Sequence, residues 1–157
     1  MINTAATKAL AVAESANPSR IVSVPVQADS LGRLDPGSGT VISDTSVGAQ
    51  PSGIAIASDG SIWVTNTTAG TVSRLDPSGA RVVQTIEHVG TDPTGIAISP
   101  AGATVGANSI WVADSGSRQV ARISPVTNTV VKLYPIGNAP AGLAVDASGR
   151  VWIADRL

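Results

Sequence analysis

Pro51-Ser52-Gly53-Ile54-Ala55-Ile56-Ala57-Ser58-Asp59-Gly60-Ser61-Ile62-Trp63-Val64 reads as strand, tight turn, strand. Isoleucines alternate with small residues through Ala57, as in a strand with two different faces. Asp59-Gly60 is hairpin chemistry, because glycine takes positive φ at little steric cost. Ile62-Trp63-Val64 is rich in residues that fit a pleated, half-buried surface. The same stretch returns as Pro93-Thr94-Gly95-Ile96-Ala97-Ile98 with Ile110-Trp111-Val112, and as Pro140-Ala141-Gly142-Leu143-Ala144-Val145 with Val151-Trp152-Ile153. The three prolines are 42 and 47 residues apart, and proline-to-tryptophan spacing is 12, 18 and 12. Six extra residues therefore enlarge the middle turn, within Ala101 to Asn108. A period in the low forties with strand-like content predicts a four-stranded β-propeller blade.

Reading outward completes the blade. Strand A (53–57, 95–99, 142–146) is narrow, as suits the strand nearest an axis where blades converge, and strand B carries the tryptophan. Strand C is Thr71-Val72-Ser73-Arg74-Leu75 before Asp76-Pro77, and Gln119-Val120-Ala121-Arg122-Ile123 before Ser124-Pro125. Strand D runs from Arg81 to Val89 and from Thr129 to Ile136, closed by Gly90 and Gly137. Turn signals recur at the spacing of an all-β meander. Upstream, Gly32-Arg33-Leu34-Asp35-Pro36 matches strand C, and Thr40 to Val47 matches strand D. Arg20 to Val24 falls where strand B belongs but has no tryptophan, so the first half of that blade is absent or degenerate.

The expected organisation is all-β, with propeller repeats over 20–157: half-blade 31–48, blade 51–90, blade 93–137 and half-blade 140–157. Residues 1–19 read as a loose or weakly helical lead-in that stops before Pro18. Lys8 interrupts the apolar stretch that a secretory leader would need. Propellers are built from about four to eight blades, and these repeats supply about three. The partial blades are complementary, strands C and D in one and A and B in the other, and an open strand edge is ready to pair. Three assemblies fit: half of a six-bladed ring closed by dimerisation, part of a longer or decayed propeller, and an open monomer. A second copy of the chain is the expected partner.

Composition narrows the function classes. Net charge is −1, and charged residues make up only 13% of the chain, so no electrostatic footprint calls for nucleic acid or an anionic membrane. No apolar run reaches membrane-spanning length. The absence of cysteine excludes disulfides and thiolate metal sites while leaving the compartment open. With no Phe, one Tyr and three Trp, the core must be built from Ala, Val, Ile and Gly around the tryptophans.

The strings Gly53 to Asn66 and Gly70 to Pro77 resemble repeats of the virginiamycin B lyase (streptogramin lyase) propellers. They are also similar to NHL-type and SMP-30/gluconolactonase-like propellers in their Pro-x-Gly-Ile-Ala, Asp-Gly-x-Ile-Trp-Val and Arg-Leu-Asp-Pro segments. The resemblance covers about residues 31–157 and is carried by blade-building residues. It implies the propeller fold and, for relatives of the lyase or lactonase kind, a metal-dependent site. In those families a histidine base with magnesium, or a divalent metal held in the central channel, does the chemistry. The single histidine, His88, falls on strand D and matches no catalytic segment of that family. No catalytic residue is assigned.

Candidate binding residues follow from blade geometry. The B–C and D–A loops share one edge, where propeller ligands usually sit. Asn66, Asp114 and Asp155 open the B–C loops at equivalent positions, and Asp92 and Asn138 lie in D–A loops. Oxygen-bearing side chains repeated around an axis are the ligand type of calcium or magnesium, which makes Asn66, Asp114 and Asp155 the metal candidates. Equally, Asx side chains close turns by accepting loop amides, and repetition in every blade is the mark of a structural need. The tryptophans read as inter-blade core, and Arg33, Arg74 and Arg122 as bridges between blades or, less simply, phosphate contacts. No Ser/His/Asp set can be assembled around one histidine. The expected function is a binding or interaction module acting through its loop edge. The alternative is a metal-dependent lyase or lactonase active only as an assembled ring.

Overall fold

The computed structural model describes residues 21–23, 29–104 and 106–156. The lead-in expected over 1–19 lies outside them. Strands β1 (Ile21–Ser23), β2 (Ser30–Leu34) and β3 (Val41–Ser46) form a first sheet; β4 (Pro51–Ile56), β5 (Ile62–Asn66), β6 (Thr71–Leu75) and β7 (Val82–Ile86) form a second. β8 (Pro93–Ile98), β9 (Ile110–Asp114), β10 (Gln119–Ser124) and β11 (Thr129–Pro135) form a third, and β12 (Ala139–Val145) pairs with β13 (Val151–Arg156). Every pairing is antiparallel between sequence neighbours. The described residues are thus an all-β arc of propeller blades, partial and unclosed.

Three details differ from the sequence reading. The degenerate strand B does form, as β1, three residues long and in register with β2 through Val22↔Arg33. Strand A begins earlier than expected, at Pro51, Pro93 and Ala139, because the proline still pairs with the Asx of strand B (Asn66, Asp114, Asp155) before the ladder slips. His88 is not on strand D, which ends at Ile86; it is exposed in the following loop with φ of 59°.

The slip at Pro-x-Gly has a purpose near the axis. A Cβ on Gly53 would lie 2.5 Å from the Thr94 carbonyl, and one on Gly95 would lie 2.7 Å from the Ala141 carbonyl. Neighbouring A strands can approach this closely only with glycine there. Hydroxyls then join them: Thr65 Oγ1 donates to Thr94 O at 2.8 Å, and Thr67 Oγ1 to Pro93 O at 2.8 Å.

The cores lie between blades. Leu31 and Val47 of the first blade pack on Ile54, Ile62, Val64 and Leu75 of the second. On the second blade's other face, Trp63, Val72, Ile86 and Val89 meet Ile110, Val112, Ala121 and Ile123 of the third. Consecutive residues of β5 and β9 point to opposite sheet faces, each facing a blade, so both strands are buried throughout. Arginines tie the blades at the turn edge: Arg33 Nη1 donates to Ser78 O at 3.3 Å, and Arg74 Nη1 to Pro125 O at 2.9 Å and Asn128 Oδ1 at 2.8 Å.

Candidate functional site

At the loop edge, strand B ends in an Asx whose side chain is spent on the fold. Asn66 is 0% exposed: its Oδ1 accepts the Gly48 amide at 3.2 Å, and its Nδ2 donates to the hydroxyls of Thr71 at 3.0 Å and Ser73 at 2.9 Å. Asp114, also 0% exposed, accepts from the Asp92 amide at 2.9 Å, the Ser117 amide at 3.3 Å and Gln119 Nε2 at 2.9 Å. Each therefore clamps the incoming D–A loop to its own strand C. The glycine of that loop fits the clamp, since a Cβ on Gly48 would come within 2.7 Å of Asn66, and one on Gly90 would collide with the Asp114 carboxylate.

The other predicted residues are disposed differently. Asp92 is half-buried, and its Oδ2 accepts the Ser115 hydroxyl at 2.8 Å. Asn138 and Asp155 are exposed. The structure joins Asp92 to Asp114 but brings no hydrogen bond between Asn66, Asp114 and Asp155. Among the described residues, no group of three or more His, Cys, Asp or Glu side chains is placed to hold a metal ion.

The opposite edge carries a cavity of about 550 Å³ between the second and third blades. The turns A–B and C–D converge there: Ala57 and Asp59 from one blade, Asn108, Ser109, Val126 and Val131 from the other, with Arg74 reaching across. Arg74 Nη2 and Asp59 Oδ2 are 3.1 Å apart, and the guanidinium carbon sits 5.1 Å from the Trp63 ring centroid. Asn108 and Ser109 stand at the end of the six-residue insertion, so the enlarged middle turn forms one wall. The mixture of apolar walls with a few hydrogen-bonding groups, and the volume, are those of small-molecule sites.

One hydroxyl sets how the arginines are held. In the third blade Trp111 Nε1 donates to Ser99 Oγ at 2.7 Å, which leaves Ser109 Oγ for Arg122 Nε at 2.9 Å. In the second blade Ala57 replaces that serine. Ser61 Oγ then accepts from Trp63 Nε1 at 3.0 Å, and Arg74 Nε is buried without a partner.

The turns at this edge are acidic and ordered. Hydrogen bonds from Ser38 and Gly37 lower the pKa of Asp35, and those from Ser78 and the following turn amides lower that of Asp76. At Asp59 partial burial pulls upward, but hydrogen bonds from Ser61 and the charge of Arg74 outweigh it, and the net shift is down. Asp146 is lowered to about 2, first by the side-chain hydrogen bond from Arg150. A depressed carboxyl contributes stability above its unfolded value of 3.8 that disappears as pH falls through its folded value. A carbon-detected NMR titration is expected to place the Asp146 midpoint near 2, and Arg150→Ala to raise it toward 3.8; an unmoved midpoint would contradict the hydrogen-bond origin.

No protein-family model matches the chain. Its sequence is similar to the PE-PGRS family protein PE_PGRS18 of Mycobacterium tuberculosis, at 44% identity over 62 residues, which is 39% of this chain and 12% of that protein. Among solved structures it resembles a catalytically inactive virginiamycin B lyase from Staphylococcus aureus with quinupristin: TM-score 0.76, 16% identity, covering 99% of this chain and 51% of that one. It also resembles the WD40 β-propeller domain of Doa1, with TM-score 0.73 and 13% identity, over 93% of this chain and 46% of that one. The chain spans only part of each relative. At these identities the structural likenesses establish a β-propeller fold. The part of the sequence reading that named the virginiamycin B lyase propellers has a structural counterpart.

The sequence reading looked to the B–C and D–A loops and missed the cavity. Its signals were nonetheless present: the inserted turn at Ala101 to Asn108 and the arginine repeated in every strand C.

Proposed function

We propose that the chain is a binding module whose ligand seat is the cavity between the second and third blades. One observation carries this reading: a concave site of about 550 Å³ walled by the enlarged turn that only the third blade possesses. A feature needed by every blade would repeat, whereas this one does not. Its chemistry suits a small amphipathic molecule. The apolar body lies against Ala57, Val126 and Val131, and hydrogen bonds go to Ser58, Asn108 or the Asp59–Arg74 pair. The loop edge is the less suited surface, because Asn66 and Asp114 are fully buried there and hydrogen-bonded within the fold.

Amide chemical shifts of the labelled chain, measured against a set of small aromatic amides and carboxylates, test the reading. Perturbations are expected at Asp59, Asn108, Ser109 and Val126, and should vanish when residues 101–106 are deleted. Shifts confined to Thr67–Gly70 and Ser115–Arg118 would move the site to the loop edge, and millimolar ligand without any shift would remove it. The lyase or lactonase alternative draws on the fold shared with virginiamycin B lyase. A melting temperature raised by calcium or magnesium would be its support.

A further inference from the structure

The third blade lacks a carboxylate that the second blade uses. In the second blade Asp59, in the A–B turn, neutralises the strand C arginine of its own sheet, with Oδ2 3.1 Å from Arg74 Nη2. Its Oδ1 meanwhile holds Ser61, accepting the amide at 2.9 Å and the hydroxyl at 2.6 Å. Counted back from the tryptophan, Asp59 corresponds to Ala107; counted forward from strand A, it corresponds to Ala101. The whole turn from Pro100 to Ser109 contains no acidic residue. The structural half of the aspartate's task has passed to the backbone, since the Ser109 amide donates to Gly106 O at 2.8 Å. The electrostatic half has no successor: among the described residues, Arg122 forms no ion pair.

A second cation stands beside it. Register sets Lys132 directly opposite Arg122, where the second blade has Gln84 opposite Arg74 and the first has Ser43 opposite Arg33. Like charges directly opposite on a ladder are destabilising, and among the described residues Lys132 has no carboxylate partner either. Both lean over one aromatic shelf. Arg122 Cζ lies 5.8 Å from the Trp111 ring centroid, Lys132 Nζ lies 4.8 Å from that of Tyr134, and the two rings are 5.6 Å apart. Both also line the cavity of about 550 Å³, alongside Arg74 and Asp59, which neutralise each other. Each of these pairings lies inside one blade.

We infer that the occupant of the cavity is an organic acid. Its carboxylate lies between the Arg122 guanidinium and the Lys132 ammonium, and its apolar body lies against Val126 and Val131. The carboxylate thereby supplies to the third blade what Asp59 supplies to the second. A carboxylate on a guanidinium makes charge-assisted hydrogen bonds, roughly twice as strong as neutral ones, and a partly buried pair is screened less by salt than an open one. The inference rests on the binding-module reading and adds to it the charge of the ligand and the two side chains that select it.

Phenylacetate and phenylacetamide share a shape and differ in charge, so together they separate the two readings. Followed by amide shifts of the labelled chain, phenylacetate is expected to bind about tenfold more tightly than the amide, as one charge-assisted bond implies. Lys132→Gln, which installs the second blade's residue at an exposed position, should remove that preference and leave phenylacetamide binding unchanged. Ala107→Asp should abolish phenylacetate binding and raise the denaturation midpoint of the ligand-free chain, by restoring the missing carboxylate. Equal affinities for acid and amide at the cavity would overturn the charge anchor and leave the binding module standing. No shift at the cavity with either compound would overturn both. An acid preference that survives Lys132→Gln would overturn the paired-cation site. Inorganic phosphate binding as tightly as phenylacetate would overturn the organic acid, since the apolar walls would then contribute nothing.

Discussion

Trp63→Ala is expected to cost about 3–5 kcal/mol, the range for removing a large aromatic from a core, and Trp152→Ala within about 0.5 kcal/mol, as at exposed positions. The two residues occupy the same place in the same repeated sentence, so the difference is set wholly by what covers them. Trp63 is sealed between the second and third blades against Ile110, Val112 and Ile123, beneath the Arg74 guanidinium, with its indole nitrogen bonded to Ser61. Its removal opens a cavity bordered by two sheets and strips Arg74 of its ring. Against a typical total of roughly 5–15 kcal/mol, that loss leaves a marginal fold. Chemical denaturation midpoints at low protein concentration measure both variants.

The blades were legible because their signals are local. Asp59-Gly60, the alternation of Ile54 and Ile56 with Ala55 and Ala57, and the Pro-to-Trp spacing each follow from one strand or one turn, and the structure repeats them. Two local details escaped. Pro51 and Pro93 join strand A ahead of the glycine, because the slip after them is imposed by the adjacent blade's backbone, which no single repeat reveals. The short strand at Ile21–Ser23 forms without a tryptophan because the Arg33 ladder position accepts backbone pairing from any residue. The site was less legible for the same reason. Asn66, Asp114 and Asp155 read as one class, yet their partners come from strand C and the preceding loop, so two are buried clamps and the third is open. The cavity needs Asp59 and Arg74 of one blade beside Asn108 of the next, a juxtaposition about fifty residues apart in sequence.

Asp114→Ala is the second large effect, about 3 kcal/mol, because it strands three donors, and a buried donor without an acceptor costs roughly 1–3 kcal/mol. The Asp92 and Ser117 amides lie near the loop edge where water offsets part of the loss, which keeps the total below the full sum. Asp114→Asn should be far milder, about 1 kcal/mol for one exchanged hydrogen bond. The second blade already holds Asn66 in this seat, with the hydroxyls of Thr71 and Ser73 receiving its amide. The third blade offers Gln119 and Ala121 there, so adding Gln119→Thr and Ala121→Ser should recover the loss. Gly90→Ala drives a methyl into the Asp114 carboxylate and should cost more than either. It should be relieved in part in the Asp114→Ala background, because residues in contact do not contribute additively, while the positive φ of Gly90 keeps its own cost. Denaturation midpoints for the singles and the double decide the matter. Additive losses would mean that the glycine and the carboxylate are not parts of one clamp, and the repeated Asx would again be open to a ligand.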